Sequence, residues 1–197
     1  MLRITTMVEP PHTKAVGRAS SRGYTLTEMV VVVAMIGTLA AMAIVGYRKY
    51  INAAQAAEAK TMILAIRGGQ ETYKSEMLQY LPVSGAINDY YPNTNPNDTK
   101  YSWVYPPHVD YPNWMLLNIN PDGPVRFGYA CVAGVGGNIT LPNDFTTPPT
   151  VVGGGAVANN TPWYSIQAKN QRSATRPPEV YASLSIDNSI VSQNGDE

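Results

Sequence analysis

The sequence predicts an α+β protein. One long N-terminal helix, membrane-spanning in its first half and amphipathic in its second, packs on a small antiparallel β-sheet head. Three observations carry this. The seventeen residues from Met29 to Val45 hold no charged side chain and one hydroxyl, Thr38. The alanine-rich stretch from Asn52 to Tyr80 places Ile63, Ile66, Tyr73, Met77 and Tyr80 at intervals of 3, 7, 4 and 3, one face of a helix. Three later segments, 125–132, 163–168 and 180–186, alternate apolar and polar side chains as strands do.

The apolar run comes first. As a helix, seventeen residues span about 25 Å, and the hydrocarbon core of a bilayer is about 30 Å thick. Leu26 and Tyr47, taken as interfacial ends, close the gap. A buried core helix is the plainer reading, but the length and the four valines Val30–Val33 favour a membrane span. Glu28 sits at the mouth of this run, where an ionisable group is costly and usually functional. Arg22-Gly23 forms an abrupt junction just before it.

Composition narrows the function classes. Charged residues make up 14% of the 197, well below the usual quarter, and Gly and Pro number 16 each, so the surface is weakly charged and loop-rich. Residues 1–23 carry Arg3, Lys14, Arg18 and Arg22 against Glu9, a formal +3, and the remainder carries −3. No basic patch is interleaved with aromatics, and no nucleic-acid partner is expected. The single cysteine, Cys131, excludes an intrachain disulfide and a cysteine-based zinc cluster, so packing must hold the fold.

Gly23, Tyr24, Thr25, Leu26, Thr27, Glu28 and the apolar run fall in one register. Together they resemble the type IV pilin signature, in which a peptidase cuts after a glycine and an acid lies five places into the mature chain. Gly37 and the stretch Ala40-Ala41-Met42-Ala43 also suit that family's helix. The resemblance implies a pilin-like fold and a leader, residues 1–23, removed in the cytoplasm by a prepilin peptidase. It implies N-methylation of Tyr24 by the same enzyme. The precursor would be single-pass in the inner membrane with its head in the periplasm. The mature subunit would then join copies of itself or other pilins in an extracellular or periplasmic filament, added by a membrane platform and a cytoplasmic ATPase. The chemistry is coherent. Glycine brings no side chain to a protease cleft. Cleavage frees the Tyr24 amine, a cation able to partner the Glu28 carboxylate, which an apolar filament core would not tolerate alone. Three positions depart from the usual pattern: Tyr24 stands where phenylalanine is common, Thr27 where an aliphatic residue is, and Val45 where major subunits often have a kinking proline.

Two rival readings stay open. A pseudopilin of a type II secretion system would use the same physics in a shorter fibre. A secreted binding module would arise if a signal peptidase cut after Ala43, since Ala41-Met42-Ala43 is an A-x-A pattern behind a basic flank. Against it, Glu28 interrupts the junction of the basic and apolar regions that such a signal needs. The positive-inside rule does not decide orientation, because Lys14, Arg18 and Arg22 before the helix balance Arg48, Lys49 and Lys60 after it.

The chain then divides into the core helix 24–47, its amphipathic continuation 48–80, an irregular aromatic-rich connection 81–124, and a sheet head 125–197. Gly68-Gly69 costs the helix about 2 kcal/mol relative to two alanines, so a bend or a tight helix–sheet approach is expected there. The aromatics of 81–114 suit packing onto the sheet better than a contact surface for subunits or a glycan. Asp187-Asn188 reads as a two-residue turn, with a return strand from Ser189 to Ser192. Gly134–Asn160 reads as a long mobile loop.

No catalytic constellation is visible, and the expected role is structural, with no enzyme activity, no cofactor and no metal. His12 and His108 are too far apart to define a cluster. Asp187, Asp196 and Glu197 beside Asn188 and Asn194 match no calcium-loop spacing. Cys131 in a strand reads as a small buried hydrophobe. The glycine runs at 134–137 and 153–155 lack the Lys-Ser/Thr of a phosphate loop.

Overall fold

A computed structural model describes residues 23–146 and 156–195. The predicted leader, except Gly23, lies outside these residues, as do Asp196, Glu197 and the centre of the predicted 134–160 loop. Two helices and four strands are present among the described residues: α1 Leu26–Met77, α2 Tyr111–Leu116, β1 Gly128–Asn138, β2 Ala156–Asn170, β3 Glu179–Leu184 and β4 Asp187–Gln193.

The chain divides into two compact units, one ending at Ile44 and one starting at Val45. Within the first, α1 is exposed on every side, and Thr38 ties its hydroxyl back to the Met35 carbonyl at 2.9 Å. Within the second, α1 buries Ala56, Ala59, Met62, Ile63, Ile66 and Gln70, a stripe advancing about one helical turn at a time. The stripe is shorter at its C-terminal end than the periodicity predicts. Met77 is exposed, and Leu78 takes a left-handed conformation (φ 61°) that stops the helix, so Tyr80 reaches the core from the following segment.

The sheet is an antiparallel meander in the order β1-β2-β3-β4. Cys131 pairs with Ile166, Ala168 with Tyr181, and Ser183 with Ile190. Period-two alternation therefore sends Tyr129, Cys131, Tyr164, Ile166, Ala168 and Tyr181 to one face, where they meet the α1 stripe. The opposite face is also covered. Ile87 and Ile139 pack on Val132, Trp163 and Leu184, and Phe145 packs on Val180 and Ala182. The segment after β1 is tied down by sheet side chains: Asn143 N–H donates to Gln167 Oε1 at 3.0 Å, and Thr146 N–H to Gln193 Oε1 at 2.8 Å.

Several local expectations need correction. The first strand begins at Gly128; Val125, expected inside it, forms an isolated bridge with Tyr101 instead. Residues 134–138 and 156–160, expected in a mobile loop, extend the β1–β2 ribbon across a register shift between Val135 and Gly137. Glycines there read as loop, but Gly136 and Gly137 adopt positive φ, and this irregularity lets the ribbon continue. The β3–β4 turn is Ser185-Ile186, not Asp187-Asn188. Ser185 is held by Tyr164, whose carbonyl accepts from the Ser185 N–H and whose N–H donates to Ser185 Oγ, both at 3.0 Å; Asp187 already pairs with Leu184.

The aromatic connection is ordered by burial. Tyr91 stacks on Trp114 (5.4 Å between ring centroids), and Trp103 meets both rings edge-on. The Tyr91 hydroxyl donates to the Trp103 carbonyl oxygen. These side chains join the α1 side of the core, which bears out packing as the role of this region.

Candidate functional site

Gly23, Tyr24 and Thr25 lie outside any helix or strand and are exposed, and the helix begins at Leu26. Thr25 and Glu28 start it together. Glu28 N–H donates to Thr25 Oγ1 at 3.2 Å, and the Thr25 N–H and hydroxyl donate to Glu28 Oε2 at 2.8 and 2.9 Å. This is a reciprocal capping box, T-x-x-E, which satisfies N–H groups that a helix start leaves open. The spacing was visible in the sequence, but there Glu28 drew notice for its charge beside an apolar run. The structure thus places Gly23 and Tyr24 just before the helix and Glu28 in its first turn, with the acid engaged locally by Thr25.

Gly23 has no packing reason to be glycine, because a Cβ built on it meets nothing within 4 Å. The same is true of Gly37 and Gly46. The apolar side chains that follow are equally uncovered: Val33 is 67% and Leu39 65% exposed. A continuous apolar surface of this kind implies a nonaqueous neighbour, either lipid or protein. The helix is long and apolar enough to cross a membrane.

Comparison with known proteins bears on this stretch. A family model, the prokaryotic N-terminal methylation motif, matches residues 18–44. The chain is pilin-like and carries a prepilin-type N-terminal motif. This pilin-like chain is also 42% identical over 67 residues to the type IV major pilin protein PilA of Myxococcus xanthus (strain DK1622). That alignment covers 34% of the chain and 30% of the relative, so the chain matches less than a third of that protein's length. No solved structure matches. The apolar helix and the motif together suit membrane insertion as a precursor.

The head places the remaining candidate residues. Cys131 is fully buried and accepts a hydrogen bond from Gln70 Nε2 at 3.2 Å; burial pushes its thiol up to about 12. An inert structural cysteine results. His108 is buried beside Asp89 and Asp110, an acidic grouping that the sequence hid because its two aspartates lie twenty-one positions apart. Glu179 is buried opposite Arg172 (2.7 Å), and burial raises its carboxyl even though Arg172 pulls it down.

Proposed function

We propose that this chain is a structural, non-enzymatic subunit of a type IV pilus-like filament. A prepilin peptidase cuts it after Gly23 and methylates the new Tyr24 amine. Its apolar helix crosses the inner membrane as a precursor, with the head on the periplasmic side, and is then withdrawn by an assembly platform into a filament core. The single observation that carries this reading is the juxtaposition at residues 23–28. An exposed glycine with no packing role precedes an exposed Tyr24, a capped Glu28 and an uncovered apolar helix. The matched methylation motif spans the same residues.

The capping box refines the charge-pairing idea. In the uncut chain the Glu28 carboxylate is held by Thr25 donors. Cleavage leaves the Tyr24 amine one residue from that cap, where it supplies the positive charge that a buried carboxylate requires in an apolar core. The helix runs unbroken through Ala41-Met42-Ala43, which favours this reading over signal-peptidase release at Ile44.

The test is the N-terminal sequence of protein recovered from cells. Expected is a chain beginning at Tyr24 and bearing a methyl group. A chain beginning at Ile44, or one retaining Gly23, overturns the proposal. Gly23→Val should accumulate uncut precursor. Glu28→Ala should abolish filament entry in electron micrographs, whereas Thr25→Ala, which costs about 1 kcal/mol of helix capping, should leave filaments in place.

A further inference from the structure

We infer that Arg48 and Arg176 form a binding site for the phosphate of an anionic phospholipid headgroup, at the point where α1 leaves its apolar run. The two residues come from different elements, α1 and the β2–β3 connection, yet they line one surface cleft of about 400 Å³ together with Tyr47, Ile51 and Asn52. Among the described residues no acid lines this cleft. A guanidinium is a planar fork of donors that fits phosphate oxygens, and two of them in one cleft suit a shared anion better than two solvated charges.

The surrounding residues hold the site without neutralising it. Arg48 and Arg176 are both exposed. Arg176 acts on the charge of Glu179, but that carboxylate is 4% exposed and paired with Arg172 at 2.7 Å, so it does not cover the cleft. Arg172 Nη1 also donates to Asn52 Oδ1 at 2.7 Å, which ties the β2–β3 connection to α1 and keeps the two walls of the cleft together. Lys49 and Lys60 line the adjoining cleft, which shares Asn52, and add to the positive field there.

Depth along the helix identifies the source of the phosphate. Arg48 lies three residues beyond Val45 in the same unbroken helix, about 4.5 Å along its axis. A headgroup layer is about 5–8 Å deep, from the difference between the hydrocarbon core and the whole bilayer. With the apolar run in a bilayer, lipid phosphates therefore stand at the height of Arg48. Tyr47 and Tyr50, 67% and 72% exposed, flank Arg48 and Lys49 as interfacial aromatics do. An anionic lipid is favoured over a zwitterionic one, whose ammonium group these cations would repel. The inference rests on the membrane-inserted precursor proposed above, with its head on the periplasmic side. Basic residues are usually sparse at that end of a span, which sets this cluster apart from an ordinary flank.

The experiment is native mass spectrometry of the full chain in nonionic detergent, titrated with phosphatidylglycerol or phosphatidylcholine, with thermal melts of the same samples and of one holding inorganic phosphate. Expected is retention of phosphatidylglycerol in preference to phosphatidylcholine, and a melting temperature raised by phosphatidylglycerol alone. Arg48→Gln and Arg176→Gln should each weaken that retention about fivefold. Lys100→Gln, an exposed cation lining a different cleft, should leave it unchanged. If Arg176→Gln melts early without lipid, Arg48→Gln decides alone. Equal retention of the two lipids overturns the proposal, as does a preference that ignores both arginine substitutions or falls equally with Lys100→Gln. Inorganic phosphate that matches phosphatidylglycerol overturns the lipid source. Arginine-dependent self-association without lipid preference overturns it too, and assigns the cleft to a second copy of the chain. None of these results alters the N-terminal sequence that tests the filament reading, so the two failures are separable.

Discussion

At Gly69 an added Cβ would lie 2.9 Å from the Leu117 carbonyl oxygen and 3.2 Å from the Leu117 Cβ, whereas at Gly68 it would meet nothing within 4 Å. The expected tight approach exists, but to the segment after α2 rather than to the sheet, and only one of the two glycines serves it. Gly69→Ala should destabilise the head by about 1–3 kcal/mol through overpacking. Gly68→Ala should stabilise it by about 0.5–1 kcal/mol, as for an unconstrained helical glycine. Urea titration of the two variants beside the unaltered chain checks both signs. Cys131 gives a second test. Its thiol keeps its proton to about 12 in the folded chain, against an ordinary 9.0, because it is buried. The folded state therefore holds more protons than the unfolded one between those values, and stability falls as pH rises through that window. Alkylation by iodoacetamide at pH 8 should be undetectable in the folded chain and rapid in denaturant.

The α1 helix is secured by a residue that periodicity did not single out. Gln70 is fully buried, donates to the Leu81 carbonyl at 2.8 Å and accepts from the Leu81 N–H at 2.9 Å, closing the chain reversal after the helix. A polar residue on an apolar stripe reads as an interruption until its partners are known. Gln70→Leu should destabilise the head by roughly 2–4 kcal/mol, since it orphans a buried donor and a buried acceptor; the shift in urea midpoint measures it. On the sheet's second face, Tyr90 and Gln167 both bond to Asp144, and Lys169 pairs with it at 3.1 Å. That polar cluster fastens the segment after β1. The strand pattern could not foretell it, because a residue such as Gln167 suits a solvated face as well as a bonded, covered one.

For the whole molecule, the main core cluster draws on Ala56 and residues beyond it, and the unit from Val45 onward holds its own sheet and helix contacts. A chain lacking residues 1–44 should therefore be soluble, monomeric and folded, with a single cooperative melt. Its thermal midpoint should lie within a few degrees of that of the detergent-solubilised full chain; differential scanning calorimetry and sedimentation check this. Failure to fold would mean that the apolar segment contributes to head stability.

The sequence by itself determined the α+β class, the long helix, the apolar span, the register of Gly23, Tyr24 and Glu28, and a four-stranded sheet in outline. These are local matters, set by side-chain periodicity and short spacings that leave a direct trace in the order of residues. The tertiary structure alone decided that both faces of the sheet are covered and that Gly69 rather than Gly68 is crowded. It also decided that Gln70 belongs to the core and that Asp89 meets Asp110. Each of these depends on a contact between residues far apart in the chain. Whether a polar or small side chain is solvated, crowded or bonded is set by the partner that folding brings to it, and residue order carries no trace of that partner.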